Sequence, residues 1–280
     1  MGWRVTDDVE EFWAAAAGFL AAHRVACTIE LTIADTLRRR GPEAYGGPST
    51  LAWWDDGVGA SAVLVHTPRH RPVVSAMPPG AAVAWAAQWP CPHRVLGPAT
   101  TVAELAAAWD ATWTPVLTER LHRLAGLRLP ADPTPTRLAG DADRDLLWVW
   151  LGEFHHQATP QDPPPQRAAL DVAIDESRVV VAVPDGGPVA YASTSPVVLG
   201  TARIGPVYTR PEHRGRGHGA AVTAAAAQRA QARGADEVLL FTDLDNPTSN
   251  ALYARLGFVG LVDLVDADLV PTAPTARKNV

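Results

Sequence analysis

The sequence predicts an α/β fold of mixed β-sheets flanked by helices, laid out as two halves of similar order. Three observations carry this. Residues Arg203–Phe258 read as strand, glycine-rich turn, long alanine-rich helix, strand, loop and helix. The first 130 residues show an order of strand, strand, strand, helix, strand, helix, strand that parallels it, as a duplicated fold would. Between them lies Pro130-Ala-Asp-Pro-Thr-Pro-Thr136, a linker by composition. At 280 residues the chain exceeds the common domain size of about 100–150. The expected domains are therefore 1–130 and 131–280.

Taken in order, Asp7–Arg40 predicts helix, with acids in its opening turn, alanine in quantity, and basic residues before Gly41. Residues 51–67 predict a hairpin turned at Asp56-Gly57, and 72–77 a third strand. Pro78-Pro79-Gly80 leads into a helix over 81–89, a short strand over 94–97 and a helix over 100–113; residues 120–130 read as a closing strand. In the second half, 136–140 predicts a strand. Asp141 caps a helix running to Ala158, the proline run 160–165 ends it, and 166–176 forms another helix. Residues 179–194 form a hairpin turned at Asp185-Gly186-Gly187, and 261–270 the last strand. The final ten residues, from Pro271, read as a frayed tail.

Composition narrows the function. The net charge of −6 and a pI near 5.8 argue against nucleic acid as a partner, because phosphate contacts need a basic face. Cys27 and Cys91 make neither a disulfide framework nor a metal spacing, so no metal is expected. The apolar stretch after Glu11 is preceded by acids and broken by His23 and Arg24, unlike a signal peptide; no membrane partner and a cytoplasmic location are expected. All ten tryptophans fall at or before Trp150, and Trp53, Trp54, Trp85, Trp89, Trp109 and Trp113 read as core rather than as a substrate wall.

The chemistry concentrates at Arg214-Gly-Arg-Gly-His-Gly219. Glycines before a helix let main-chain N–H groups reach a phosphate, and the helix N-terminus adds partial positive charge. Arg210, His213, Arg214, Arg216 and His218 crowd the same turn. A Walker A loop needs Gly-Lys-Ser/Thr, and the only lysine is Lys278. Gly215, Gly217 and Ala220 fit G-x-G-x-x-A, but Asp243 lies beyond the roughly 20-residue distance at which a dinucleotide fold places its acid. Arg214-x-x-Gly217-x-Gly219, preceded by Val207 and Thr209 and followed by Asn246, Leu252-Tyr253 and Leu256-Gly257-Phe258, is the pattern that remains.

That set, over roughly Thr136–Asp263, resembles the GNAT superfamily of acyl-CoA-dependent N-acyltransferases. The resemblance implies tandem GNAT-like domains, each a twisted mixed sheet, with acetyl-CoA or another acyl-CoA as co-substrate. It implies that the loop from Arg214 through Gly215, Arg216, Gly217, His218, Gly219 and Ala220 binds the CoA pyrophosphate, and that the strand with Val207, Tyr208 and Thr209 pairs with the pantetheine arm. Asn246 and Tyr253, in N-x6-Y spacing, contact the cofactor, and Tyr253 supplies the acid. The turn Met77-Pro-Pro-Gly-Ala-Ala82 lacks the R-x-x-G-x-G motif and carries two prolines without N–H groups, so the first half reads as a degenerate copy that has lost CoA.

For acyl transfer to an amine, a main-chain N–H near Val207 is the candidate oxyanion donor, and the resemblance implies that Tyr253 protonates the leaving sulfur. His155 and His156 are the candidate bases; adjacent helical residues cannot both face one site, and Glu153 and Asp162 are near in sequence. The expected acceptor is a small-molecule amine and the expected assembly a monomer or homodimer. A longer acyl-CoA or carrier-bound acyl or aminoacyl donor, and a non-catalytic CoA-binding protein, are the alternatives.

Overall fold

In a computed structural model the described residues are 1–272; the expectation for the tail beyond Thr272, Lys278 included, lies outside them. The elements in order are strand β1 (Gly2–Thr6), helices α1 (Val9–Ala22) and α2 (Thr28–Arg40), strands β2 (Thr50–Asp55), β3 (Ala60–His66) and β4 (Val73–Val74), helix α3 (Ala81–Ala86), strand β5 (Arg94–Pro98), helix α4 (Ala99–Ala108) and strand β6 (Ala111–Leu124). The second series is β7 (Thr136–Leu138), α5 (Arg144–Ala158), α6 (Arg167–Asp175), β8 (Val179–Ala182), β9 (Ala190–Thr194), β10 (Thr201–Thr209), α7 (His218–Ala232), β11 (Glu237–Asp243), α8 (Pro247–Leu256) and β12 (Phe258–Pro271). The same ten-element order thus occurs twice, strand, two helices, three strands, helix, strand, helix, strand.

The chain forms two compact units, residues 1–120 with the segment from Val262, and Leu121–Leu261. The division departs from a cut at 130, because the ends of β6 and β12 each belong to the unit of the other repeat. The proline-rich segment 130–136 is held within the second unit. The Val183 N–H donates to Pro135 O, and Thr134 Oγ1 lies 2.8 Å from His218 Nδ1.

In the first unit β1, β2, β3 and β4 pair antiparallel in sequence, β4 pairs parallel with β5, and β5 pairs antiparallel with residues 264–268 of β12. The predicted long helix is two, α1 and α2, parted by a turn over 23–27, and β1 precedes them unpredicted. Asp8 caps α1 through the N–H groups of Glu10 and Glu11. The predicted helix over 100–113 stops at Ala108, and Ala111–Trp113 open β6. Trp3, Trp54 and Trp85 are buried in edge-to-face pairs, with Trp89, Trp109 and Trp113 packed against the same cluster. The tryptophans are core, as their number suggested. Asp266 is fully buried and meets Arg71 at 2.8 Å and Arg94 at 2.7 Å.

In the second unit β7, β8, β9 and β10 pair antiparallel and β10 pairs parallel with β11. One face carries α7, whose alanines (Ala224, Ala226, Ala227 and Ala230) are buried against β9 and β10 with Tyr253, Leu256 and Phe258. Alanine favours helix and lets it sit close to the sheet. Another cluster joins α5 and α6 through Leu147, Trp150, Leu170 and Ile174 to Tyr191 and Tyr208. Asp141 opens a short turn over 141–143 instead of capping α5, and Asp143, at the cap position, makes no side-chain bond to that helix; it accepts from the Gly140 N–H and pairs with Arg137.

Removing one partner of a buried ion cluster strands the remaining charges. Asp266→Ala is expected to lower the free energy of unfolding by about 3–5 kcal/mol, read by urea titration. A loss below about 1 kcal/mol, the worth of an exposed pair, would contradict the buried role.

Candidate active site

The site is assembled where β10, the start of α7 and the start of α8 converge. Strand β10 runs parallel to β11 from Thr201 opposite Glu237 to Ile204 opposite Leu240, while the two strands continue to Thr209 and Asp243. Its pairing with β9 shifts register between Ile204 and Val207, across Gly205-Pro206. This is the bulge the Gly-Pro step predicts. Beyond it the Arg210 N–H donates to Val189 O on the β9 side. Amides alternate along a strand. The Tyr208 N–H therefore also faces β9, and the N–H groups of Val207 and Thr209 face the opened side toward β11.

At the mouth of α7, Gly215 and Gly217 adopt left-handed φ values of 76° and 84°, which side chains disfavour. No side chain caps the helix, and the Ala221 N–H is the first to bond back, to Gly217 O. The N–H groups of His218, Gly219 and Ala220 are the helix's open donors. Gly219 lies between Thr209 and Leu252; a Cβ there would sit 3.5 Å from Thr209 Oγ1 and 3.6 Å from Leu252 Cδ1. The loop, the strand end and α8 thus meet within van der Waals reach.

The basic residues divide in role. Arg210 pairs with Glu212, and Arg216 is exposed. Arg214 turns toward α5, its Nε donating to Thr209 O at 3.1 Å and its Nη2 to Gln157 Oε1 at 2.7 Å, with its guanidinium 5.9 Å from the Tyr208 ring centre. His218 is buried with its ring toward Thr134; burial, then the charges of His213 and Arg216, lower its pKa.

Asn246 caps α8, accepting from the Ser249 N–H at 3.0 Å. The register of α8 is fixed by a network the sequence reading missed. His122 Nε2 donates to Thr242 Oγ1 at 3.0 Å, Thr242 donates to Asn250 Oδ1 at 2.6 Å, and Asn250 Nδ2 donates to Asp243 O and Leu244 O. Tyr253, two turns into α8, stacks edge-on with Phe258 in the cluster that includes Val207. Burial pushes the pKa of its hydroxyl up to about 12.

On α5 the predicted histidines part company. His155 Nδ1 lies 3.3 Å from Thr159 Oγ1, and His156 is exposed. At 100° per residue His155 points about 200° around the helix from Glu153, whereas Gln157 shares the Glu153 face. Glu153 accepts a hydrogen bond of 2.5 Å from the Tyr208 hydroxyl. Burial, then the Glu153 carboxylate, push the Tyr208 pKa up to about 12.

Phenols held protonated by the fold are a pH-dependent contribution to stability. The unfolded chain releases these protons near pH 10 and the folded chain only near 12. Above pH 10 the unfolded state binds fewer protons, so stability is complete below 10 and falls as pH rises through 12. Unfolding measured from pH 9 to 12 is expected to show a smaller decline in Tyr253→Phe than in the unaltered chain. An unchanged decline would contradict the burial of this phenol.

The chain is similar to known proteins in sequence and in fold. Residues 144–258 match the family model described as the acetyltransferase (GNAT) family. The mycothiol acetyltransferase of Streptomyces coelicolor is 30% identical over 150 residues, 49% of this chain and 47% of that protein, so the chain spans about half the length of this curated relative. A GCN5-related N-acetyltransferase from Sphaerobacter thermophilus shares the fold over 95% of both chains, with a TM-score of 0.61 at 19% identity. A tandem GNAT protein from the clavulanic acid biosynthesis pathway does so over 98% of this chain and 99% of its own, at 0.57 and 16%. A Drosophila protein aligns over 97% and 99%, at 0.65 and 16%. The twice-repeated element order is thus that of a tandem GNAT fold, and residues 144–258 match the model of the acetyltransferase (GNAT) family.

Proposed function

We propose that this chain transfers an acyl group, acetyl in the first instance, from acyl-CoA to a primary amine of a small molecule. The observation that carries the reading is the ending of β10–β11 pairing at Ile204, beside a helix mouth with three open N–H groups and two left-handed glycines. A diphosphate fits the N–H groups of residues 215–220, and an extended pantetheine arm fits the unpaired edge of β10. The Val207 N–H then stabilises the carbonyl oxygen as it becomes an oxyanion.

In the transfer, the amine nitrogen bonds to the carbonyl carbon, the carbon–sulfur bond breaks, and Tyr253 gives its proton to sulfur. A phenol at about 12 is a weak acid toward an ordinary thiol near 8.5. Sulfur leaving into the same desolvated gap is itself made more basic by burial, which narrows the difference. The first repeat is proposed to be a scaffold without CoA, since Pro78 and Pro79 offer no N–H groups before α3. No helix among the described residues is long and apolar enough to cross a membrane.

Thiol release from acetyl-CoA across a panel of primary amines tests the reading. Turnover with at least one amine is expected, and tight CoA binding without turnover on any of them would favour a binding protein. Tyr253→Phe is expected to lower kcat by about 10²-fold or more with CoA affinity kept; intact turnover would remove the acid assignment. Gly217→Leu, which forces a side chain into the left-handed region, is expected to abolish CoA binding measured by calorimetry, and unchanged affinity would remove the phosphate-loop assignment.

A further inference from the structure

The acid and the oxyanion donor leave the amine's proton without a destination. The base is best sought on the helices of the α5 and α6 cluster. On α5 the face opposite β10 is set by Trp150, packed on Tyr208, and continues one turn later to Glu153 and then Gln157. Tyr208 is the strand neighbour of Val207, and its side chain joins the α5 cluster while Val207 packs into the cluster that holds Tyr253. A carboxylate on Tyr208 therefore lies one tyrosine side chain from the strand that carries the oxyanion donor, on the side away from the phenol of α8.

Glu153 itself is exposed, accepts the Tyr208 hydroxyl, and forms no ion pair among the described residues. The nearest cation of the loop, Arg214, is committed to Thr209 O and Gln157. The charged groups of α6 are spent elsewhere. Arg167, Asp171 and Asp175 pair with Asp145 and Arg144 in the first turn of α5, about 13 Å along the helix from Glu153 at 1.5 Å per residue. The remaining titratable groups around Glu153 are Glu212 in the loop, with His155 and His156 on its own helix. A carboxylate oriented by a hydroxyl donor but lacking a countercharge is a receptor for an ammonium ion.

We propose that Glu153 receives the acceptor amine as an ammonium ion and takes its proton, with Tyr208 as the positioning residue; this rests on the acyltransferase reading above. The acceptor class is then an alkyl primary amine that is protonated at neutral pH. One proton passes from R–NH3+ to Glu153, leaving R–NH2 with the electron pair that attacks the carbonyl. After the carbon–sulfur bond breaks, Tyr253 protonates sulfur and is reprotonated by the second proton shed from nitrogen. Glu153 returns its proton to solvent, so the reaction releases one proton overall.

The experiment compares unaltered protein, Glu153→Gln and Tyr208→Phe with acetyl-CoA, following thiol release from pH 6 to 10. One arm uses alkyl primary amines (amino acids, polyamines and aminosugars). The other uses methoxyamine, which is already neutral at pH 7. Glu153→Gln keeps an acceptor for the Tyr208 hydroxyl, so its thermal midpoint and CoA affinity should match the unaltered protein. Its kcat/KM with the best alkyl amine should fall about 10²-fold or more at pH 7 and recover as pH rises toward 10, with at most a small change for methoxyamine. Tyr208→Phe should fall less, with the same recovery. A Glu153→Gln rate equal to the unaltered protein, or one reduced equally for both amine classes at every pH, overturns the inference. Should the unaltered protein turn over no amine at all, the acyltransferase reading falls and takes this inference with it.

Discussion

Between Ile204 and Val207 strand β10 changes its company. Up to Ile204 it is bonded on both edges, to β9 and to β11; beyond the Gly205-Pro206 bulge it keeps β9 and loses β11. A buried strand edge without a partner is costly, because each N–H and C=O taken from water needs a bond. The Val207 and Thr209 amides are left facing that edge. The open edge is where the proposed pantetheine arm would supply the missing partner, and the mouth of α7 and the start of α8 lie beside it.

The surrounding elements convert that gap into an oriented site. Alanines on α7 bring the helix close enough to the sheet for its N-terminus to open beside the strand end, and Gly219 admits Thr209 and Leu252 into contact. Asn250 ties α8 to the carbonyls that follow β11 and so fixes where Tyr253 stands. Charge at the loop is more economical than its composition implies. Arg210 is answered by Glu212, His218 is buried against Thr134, and Arg214 braces α5. The proposed diphosphate site would therefore rest chiefly on main-chain amides and helix polarity.

Much of this was legible in the sequence because the signals were local. The Gly-Pro step marks a bulge by removing an N–H and the spaced glycines mark left-handed turns, while the role of Asn246 as cap of α8 emerges only in the structure. The fold's repetition was legible in the order of elements. What was not legible depends on distant pairings. Strand β1 is short and is specified by Trp3 entering the first unit's core against Trp54 and Trp85. The compact units could not be cut from the proline content of 130–136, since that segment is bound by His218 and Val183 far along the chain. At the site, the adjacent histidines are marked by residue type, whereas the bond from Tyr208 to Glu153 joins residues 55 apart in sequence. The bond between His122 and Thr242 likewise joins residues 120 apart and leaves no local pattern.

The central claim is that the parted edge of β10 is the seat of an acyl thioester. A crystal structure of the protein with acetyl-CoA tests it most directly. The account predicts the diphosphate on the amides of residues 215–220, the pantetheine arm along β10 between it and β11, and the thioester carbonyl oxygen within hydrogen-bond distance of the Val207 N–H with sulfur toward Tyr253. A ligand bound elsewhere, or an arm that leaves the β10 edge unpaired with Tyr253 turned from the sulfur, would contradict it.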